Sequence, residues 1–409
     1  MASNLRRMVV LGPSGTIIPS SPQDYRQAGN RQFFSGTATR WARLWADWPT
    51  LMPAAGTPDP AILTALDEQI ALARRDGLSL ILTLYRFPTW ANGVDAMTDA
   101  QLAATMPDRR TSTQPDSRAK AVEFRYPDDV SATSPWAAFV DLLVRRYSRN
   151  SAGRPRLDAT IDVLELCNEP NLQWWPLHGP SATADPFAPG QIVVHDVVAR
   201  MFETAKAITA GLGDEPMLAG PGLADFLDNS RLRVGYASFA SRLLPLLPGR
   251  GFTPGPRFAW THHNYTDVTF DQGPGTTAPD AASVPARATN NAADMRRRLV
   301  GAWAGWPAGD AAGPAILITE GGVTLQSIAS AARWAIADPA AQRAKQAELI
   351  RRNWDRMATD DGDGAGIAMA CNYLWYTDRN FDAGLCDDLP SGGATRPAYT
   401  TWGALPSFA

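Results

Sequence analysis

Short apolar runs, punctuated by glycine and proline, alternate along this chain with longer stretches whose apolar residues recur every three or four positions. Runs that short, rich in Val, Ile and Leu and lacking polar alternation, mark strands buried on both faces. They fall near Val9, Leu44, Ile81, Leu164, Leu218, Trp260, Leu317 and Met369. Between them the spacing turns helical. Ile62, Leu63, Leu66, Ile70 and Ala73 share one face of a predicted helix that starts at Asp59-Pro60 and stops at Gly77. Aspartate serves there as N-cap, and proline occupies the first turn, where its missing N–H costs nothing. Trp136, Val140, Leu143 and Tyr147 repeat the pattern behind Ser134-Pro135, and further helices are predicted over 195–212, 233–247, 291–303 and 340–357. The weakest connection is 22–34, polar and only partly helical.

Eight strands separated by helices predict an α/β fold with a parallel sheet, closed as a (β/α)8 TIM barrel. An open doubly wound sheet is the competitor. It would want a glycine-rich phosphate turn after the first strand, and Gly12-Pro13-Ser14-Gly15 puts proline where flexibility is needed. The barrel is expected to span 1–409 as one catalytic domain. Residues 93–133 are polar, irregular and rich in Asp, Arg, Thr and Pro. That is too long for an ordinary connection, so an inserted loop at the C-terminal face is expected.

Composition narrows the function. A hydrophobic content of 45% with 19% charged residues describes a globular protein with ample core. A formal net charge of -3 gives no electrostatic reason to expect nucleic acid or an anionic membrane as partner. No run is apolar for long enough to cross a bilayer. The N-terminus, with Arg6, Arg7 and a short apolar run at 8–11, does not read as a signal peptide, so a cytoplasmic location is expected unless a leader has been removed. Cys167 and Cys371 lie in predicted strands as small buried residues, while Cys386 lies in a late loop from which a bridge to Cys371 is open. Neither metal nor cofactor is expected. The four histidines do not cluster with acids in a ligand pattern, and 360–364 lacks the spacing and closing glutamate of a calcium loop.

Candidate chemistry sits at strand ends. Residues 161–168 climb through an apolar run to Asn168-Glu169 and stop at Pro170, which cannot continue a central strand. Residues 315–320 end likewise on Glu320, followed by Gly321-Gly322. In a barrel the C-terminal strand ends converge on one face, so these two carboxylates would meet. Two carboxylates at one barrel mouth suit glycosidic cleavage, one protonating the leaving oxygen and the other acting at the anomeric carbon.

With those residues in view, the chain resembles the retaining glycoside hydrolases of clan A. Asn168-Glu169-Pro170-Asn171-Leu172 with Trp174-Trp175-Pro176 resembles the acid/base motif of families 5 and 39, and Ile318-Thr319-Glu320-Gly321-Gly322 resembles the nucleophile motif. His263-Asn264-Tyr265 matches the clan's His-x-Tyr on strand six, Arg43 the strand-two arginine and Trp375 the strand-eight tryptophan. Cys167 stands where a tryptophan is commoner, and Tyr85 where many family 5 enzymes carry histidine. The resemblance implies Glu320 as nucleophile, steadied by Tyr265 and Arg43, and Glu169 as general acid and then base. It implies Asn168 as donor to the sugar 2-hydroxyl.

Other readings compete residue by residue. Arg43 could instead pair with a buried strand carboxylate such as Glu165. His263 and Tyr265 could merely fill the barrel, although strand alternation would send both the same way, with His262 opposite. Trp45, Trp90, Trp174, Trp175 and Trp375 are assigned to sugar binding, whereas Trp136, Trp303, Trp334 and Trp354 are assigned to packing. Asp47, Asp267 and Asp378 could bind hydroxyl groups or cap loops. The expected function is a retaining β-glycosidase acting on a carbohydrate, exo-acting or a diglycosidase if the inserted loop blocks the cleft. An endo-acting enzyme, a transglycosidase, a metal-dependent barrel hydrolase and a non-catalytic sugar-binding barrel are the alternatives.

Overall fold

The computed structural model describes residues 6–10, 24–98, 100, 125–172, 194–226, 234–250, 252, 257–270, 291–305, 314–331, 334–359, 367–374, 376–377, 381–387 and 393–406. Eight parallel strands close into a barrel in sequence order. They are β1 (Arg6–Val10), β2 (Trp41–Asp47), β3 (Ser79–Tyr85), β4 (Val163–Glu165), β5 (Met217–Leu223), β6 (Phe258–His263), β7 (Ala315–Glu320) and β8 (Ile367–Asn372). Closure comes from β1 pairing with β8, where Met8 stands opposite Cys371. Every predicted strand is present. The predicted fold, a (β/α)8 barrel, is the observed one.

Strands buried on both faces form because helices cover the outside while side chains fill the inside. Helix Pro60–Arg75 begins where the sequence places it: the Asp59 carboxylate accepts from the backbone N–H of Ala61 (2.8 Å) and Ile62 (3.1 Å). Helix Pro135–Tyr147 is capped by Ser134 and buries Trp136, Phe139, Val140, Leu143 and Tyr147. Trp48, at the end of β2, stacks on Phe139 with ring centroids 4.8 Å apart, tying that helix to the barrel wall. A helix absent from the sequence reading, Pro397–Ala404, lies under the barrel: Arg7 donates to the carbonyls of Trp402 and Gly403.

Boundaries shift in two places that matter. The apolar run at 161–168 forms a ladder only over Val163–Glu165, so Asn168 and Glu169 stand on a turn beyond the strand. β6 ends at His263, and Tyr265 opens the helix Tyr265–Phe270 instead of continuing the strand. All three cysteines are buried and none is in a disulfide, which closes the option of a Cys371–Cys386 bridge. Among the described residues, no helix is long and apolar enough to cross a membrane.

At the opposite end of the barrel, Asp162 is a tie point just before β4. Its Oδ2 accepts from Arg74 Nη1 (2.6 Å) and from the backbone N–H of Leu80 (2.8 Å), and its Oδ1 pairs with Arg149. One carboxylate thus joins β3, β4 and two loop or helix ends, far from the strand ends that carry chemistry. Asp162→Ala is expected to lower stability by about 1–3 kcal/mol, the cost of stranding hydrogen-bond donors to a charged group. Denaturant midpoints should show the loss, and kcat/KM of the folded variant should equal that of the wild type.

Candidate active site

The barrel interior holds a charged layer. Arg43 on β2 is fully buried, and its guanidinium is shared among three strands. Nη1 donates to Glu320 Oε1 (2.6 Å), Nη2 to Glu165 Oε2 (2.5 Å) and Asn168 Oδ1 (2.7 Å), and Nε to Glu165 Oε2 (2.8 Å). The two readings of Arg43 are therefore both realised: it is the partner of the buried strand carboxylate and a direct contact of Glu320. Its side chain also lies over the Trp45 ring, 4.3 Å from the centroid, in a cation–π contact.

Glu320 ends β7 with 7% of its side chain accessible. Both oxygens are engaged, Oε1 by Arg43 and Oε2 by the Tyr265 hydroxyl at 2.9 Å. Tyr265 arrives from the first turn of its helix, not by strand alternation. Gly321 follows because nothing larger fits: a Cβ there would lie 2.0 Å from Asn264 Oδ1 and 3.1 Å from the Cys371 carbonyl. Burial pushes the Glu320 carboxyl above the usual carboxylate range, opposed by His263 and Arg43.

Glu169 faces it across the mouth, with 17% of its side chain accessible. Its backbone sits at φ +45°, a left-handed conformation rare for a side chain of this size, and its N–H donates to the Gly222 carbonyl at 2.9 Å. Burial pushes its carboxyl up to about 7, against the pull of Arg43 and with the help of Glu165. His263 Nδ1 lies 2.8 Å from Glu169 Oε1 and 3.7 Å from Glu320 Oε2. Burial also holds His263 down at about 4, so the ring is neutral near pH 7. His262, the preceding strand residue, packs edge-on against Tyr236, as alternation along β6 expects. Oxygen atoms of Glu169 and Glu320 and a nitrogen of His263 all lie within 4.8 Å of one another. These three groups could offer ligand atoms to a cation, and in this structure the Glu320 oxygens accept from Arg43 and Tyr265.

The remaining expected residues divide. Trp45 is buried in the barrel, edge-to-face with Tyr85 at 4.7 Å. Trp90 is half-buried: its indole N–H donates to the Met52 carbonyl and its ring meets Trp48 edge-on at 5.7 Å. Trp174, Trp175, Trp375 and Asp378 lie outside the described residues, as do 99 and 101–124 of the inserted segment. Asp267 caps the helix Asn291–Trp303 through the N–H of Asn291 and Ala292, and Asp47 pairs with Arg86. Trp136, Trp303 and Trp354 are packing residues, all buried.

Two participants were not assigned to the site from sequence. Glu165, fully buried, accepts from Arg43, from Thr83 Oγ1 (2.5 Å) and from Thr319 Oγ1 (3.0 Å). An acid in the middle of an apolar strand was the available signal, because a buried charge must be paired. Tyr126, at the return of the inserted segment, is buried against Phe87, with ring centroids 4.7 Å apart. No periodicity marks such a residue in an irregular segment.

No family model matches the chain, and no curated protein does. Solved structures match in fold at low identity. A family 39 glycoside hydrolase from the gut symbiont Bacteroides cellulosilyticus WH2 superposes with a TM-score of 0.52 at 13% identity, covering 98% of this chain. The chain spans 63% of the length of that enzyme. GH5_18 from Bifidobacterium longum subsp. longum gives a TM-score of 0.56 at 14% identity, covering 98% of this chain and 79% of that one. A β-glucosidase from Exiguobacterium marinum gives 0.55 at 11% identity, covering 99% and 98% respectively. In fold, then, this chain is similar to the barrels of glycoside hydrolases.

Proposed function

We propose that the protein is a retaining β-glycoside hydrolase that cleaves a β-linked oligosaccharide or glycoconjugate by double displacement. The observation that carries this reading is the pair Glu169 and Glu320, with oxygens within 4.8 Å of each other at the C-terminal end of the barrel. That separation matches the roughly 5–5.5 Å of retaining enzymes and falls short of the roughly 6.5–9.5 Å an inverting enzyme needs to admit water.

The environments divide the labour. Glu320, held between Arg43 and Tyr265, attacks the anomeric carbon as the carboxylate. Glu169, its proton retained up to about pH 7, gives that proton to the departing glycosidic oxygen. The glycosyl-enzyme then forms at Glu320 and the leaving group departs as an alcohol. Loss of the Glu320 charge makes Glu169 easier to ionise, and its carboxylate takes a proton from water as that water attacks the anomeric carbon. Neutral His263 holds the Glu169 carboxyl by its Nδ1. Arg43 takes the amide oxygen of Asn168, which orients the amide nitrogen as the donor to the sugar 2-hydroxyl. Trp45, Trp90, Trp174, Trp175 and Trp375 belong to the same proposal as sugar-binding surfaces.

Attack from a chain end is favoured by the inserted segment. Its return is anchored by buried Tyr126, whose ring meets Phe87 just beyond β3.

In a screen of aryl β-glycosides and oligosaccharides, Glu320→Gln should lose at least about 1,000-fold in kcat; full activity would refute the nucleophile. Glu169→Ala should lose about 100- to 10,000-fold on unactivated substrates. With activated aryl glycosides it should still form the glycosyl-enzyme, which azide releases faster. For the wild type, kcat/KM should fall as pH rises through about 7, because the acid form of Glu169 is lost there. It should also fall at low pH as Glu320 takes a proton. The alkaline limb should vanish in Glu169→Ala.

A further inference from the structure

Glu165 is a third carboxylate in the barrel that neither displacement step consumes. It lies one layer below the reacting pair, fully buried, on the strand that leads to Glu169. One oxygen, Oε2, takes Arg43 Nε, Arg43 Nη2 and the Thr83 hydroxyl; the other takes the Thr319 hydroxyl. Gly222, at φ +64°, closes over it: a Cβ there would come within 3.1 Å of Glu165 Oε1. A guanidinium is planar and rigid, so holding its Nε–Nη2 edge fixes where Nη1 points. Here Nη1 points at Glu320 Oε1.

We propose that Glu165 is a positioning residue that clamps Arg43 by one edge and balances its charge. Arg43 thereby orients Glu320 and Asn168 without drawing the proton off Glu169. The proposal rests on the glycosidase reading above and assigns the site its electrostatic control.

Charge bookkeeping supports it. Burial disfavours the ionised form of Glu165, but Arg43 and the Thr83 hydroxyl outweigh it, so its carboxyl lies below the usual range and stays ionised. Arg43 faces two carboxylates, Glu165 and Glu320. With Glu165 neutral, the full cationic field of Arg43 would act on Glu320 and Glu169 alone, in a medium where charges are weakly screened. The other groups around Glu169 do not change charge near pH 7: His263 is held neutral at about 4, and the hydroxyls of Tyr85, Tyr126 and Tyr265 are pushed above their ordinary value by burial. The Cys167 thiol, beside Glu165, is pushed up as well.

Glu165→Gln keeps the shape and removes the charge. Both limbs of the kcat/KM profile should move toward acid by about one pH unit, and activity at pH 7 should fall about fivefold. Glu165→Asp keeps the charge and shortens the clamp, so kcat should fall with the limbs in place. Limbs unmoved in Glu165→Gln, or moved equally in Glu165→Asp, would overturn the proposal; a structural role alone would lower the melting temperature without moving them. Infrared titration of the protonated carboxyl stretch, assigned to Glu169 by its loss in Glu169→Gln, reads the same midpoint without turnover. It should lie near pH 7 in the wild type and about one unit lower in Glu165→Gln. A protein inactive on every glycoside would sink the function and leave this titration standing. If Glu165→Gln fails to fold, a wild-type midpoint in the ordinary carboxylate range would by itself overturn the proposal.

Discussion

A buried guanidinium is the constraint on which this barrel depends. Arg43 has no access to water, so desolvation alone would expel it from the interior. It stays because Glu165, Glu320, Asn168 and the Thr83 hydroxyl surround it with acceptors. Such a cluster adds little stability over an apolar core of the same volume, since the cost of taking charges out of water cancels most of their attraction. What it provides is position. Four strands meet at one planar group, and the two carboxylates that carry the proposed chemistry are held relative to it.

The asymmetry of the pair follows. Both carboxyls are buried, yet Glu320 accepts from a cation and a phenol while Glu169 leans on a neutral imidazole. Two like groups in unlike surroundings titrate apart, and the proposed mechanism uses that separation, with one as nucleophile while the other keeps its proton. The pair titrates as a unit, so a pH profile reports the pair before it reports either residue. The left-handed backbone of Glu169 fits the same picture: the turn after β4 lifts the acid out of the strand layer so that it faces Glu320 across the mouth.

Much of the fold was legible because burial on both faces leaves a plain signature. LSLILTLY at 78–85 and AILITE at 315–320 can be little else than central strands, and Asp59-Pro60 announces a helix by capping chemistry. The meeting of Arg43, Asn168, Glu169, His263, Tyr265 and Glu320 was legible because barrel topology carries strand ends to one face. Their exact approach was not. Alternation along β6 suggested that His263 and Tyr265 point the same way by strand geometry, yet the strand stops at His263 and a helical turn delivers the hydroxyl to Glu320. Trp90 shows the limit of composition: an aromatic on a post-strand loop suits a sugar, but nothing in the sequence announces its hydrogen bond to Met52 or its contact with Trp48. Glu165 was visible as an acid needing a partner. That it shares its partner with Glu320 is a three-body fact, which no pairwise reading of a sequence contains.

Stereochemistry tests the account most directly. Proton NMR of a hydrolysis run started with an activated aryl β-glycoside shows the first sugar released before it mutarotates. Double displacement through Glu169 and Glu320 predicts the β anomer as first product. Release of the α anomer would mean that water attacks directly, and would contradict the assignment of Glu320 as nucleophile.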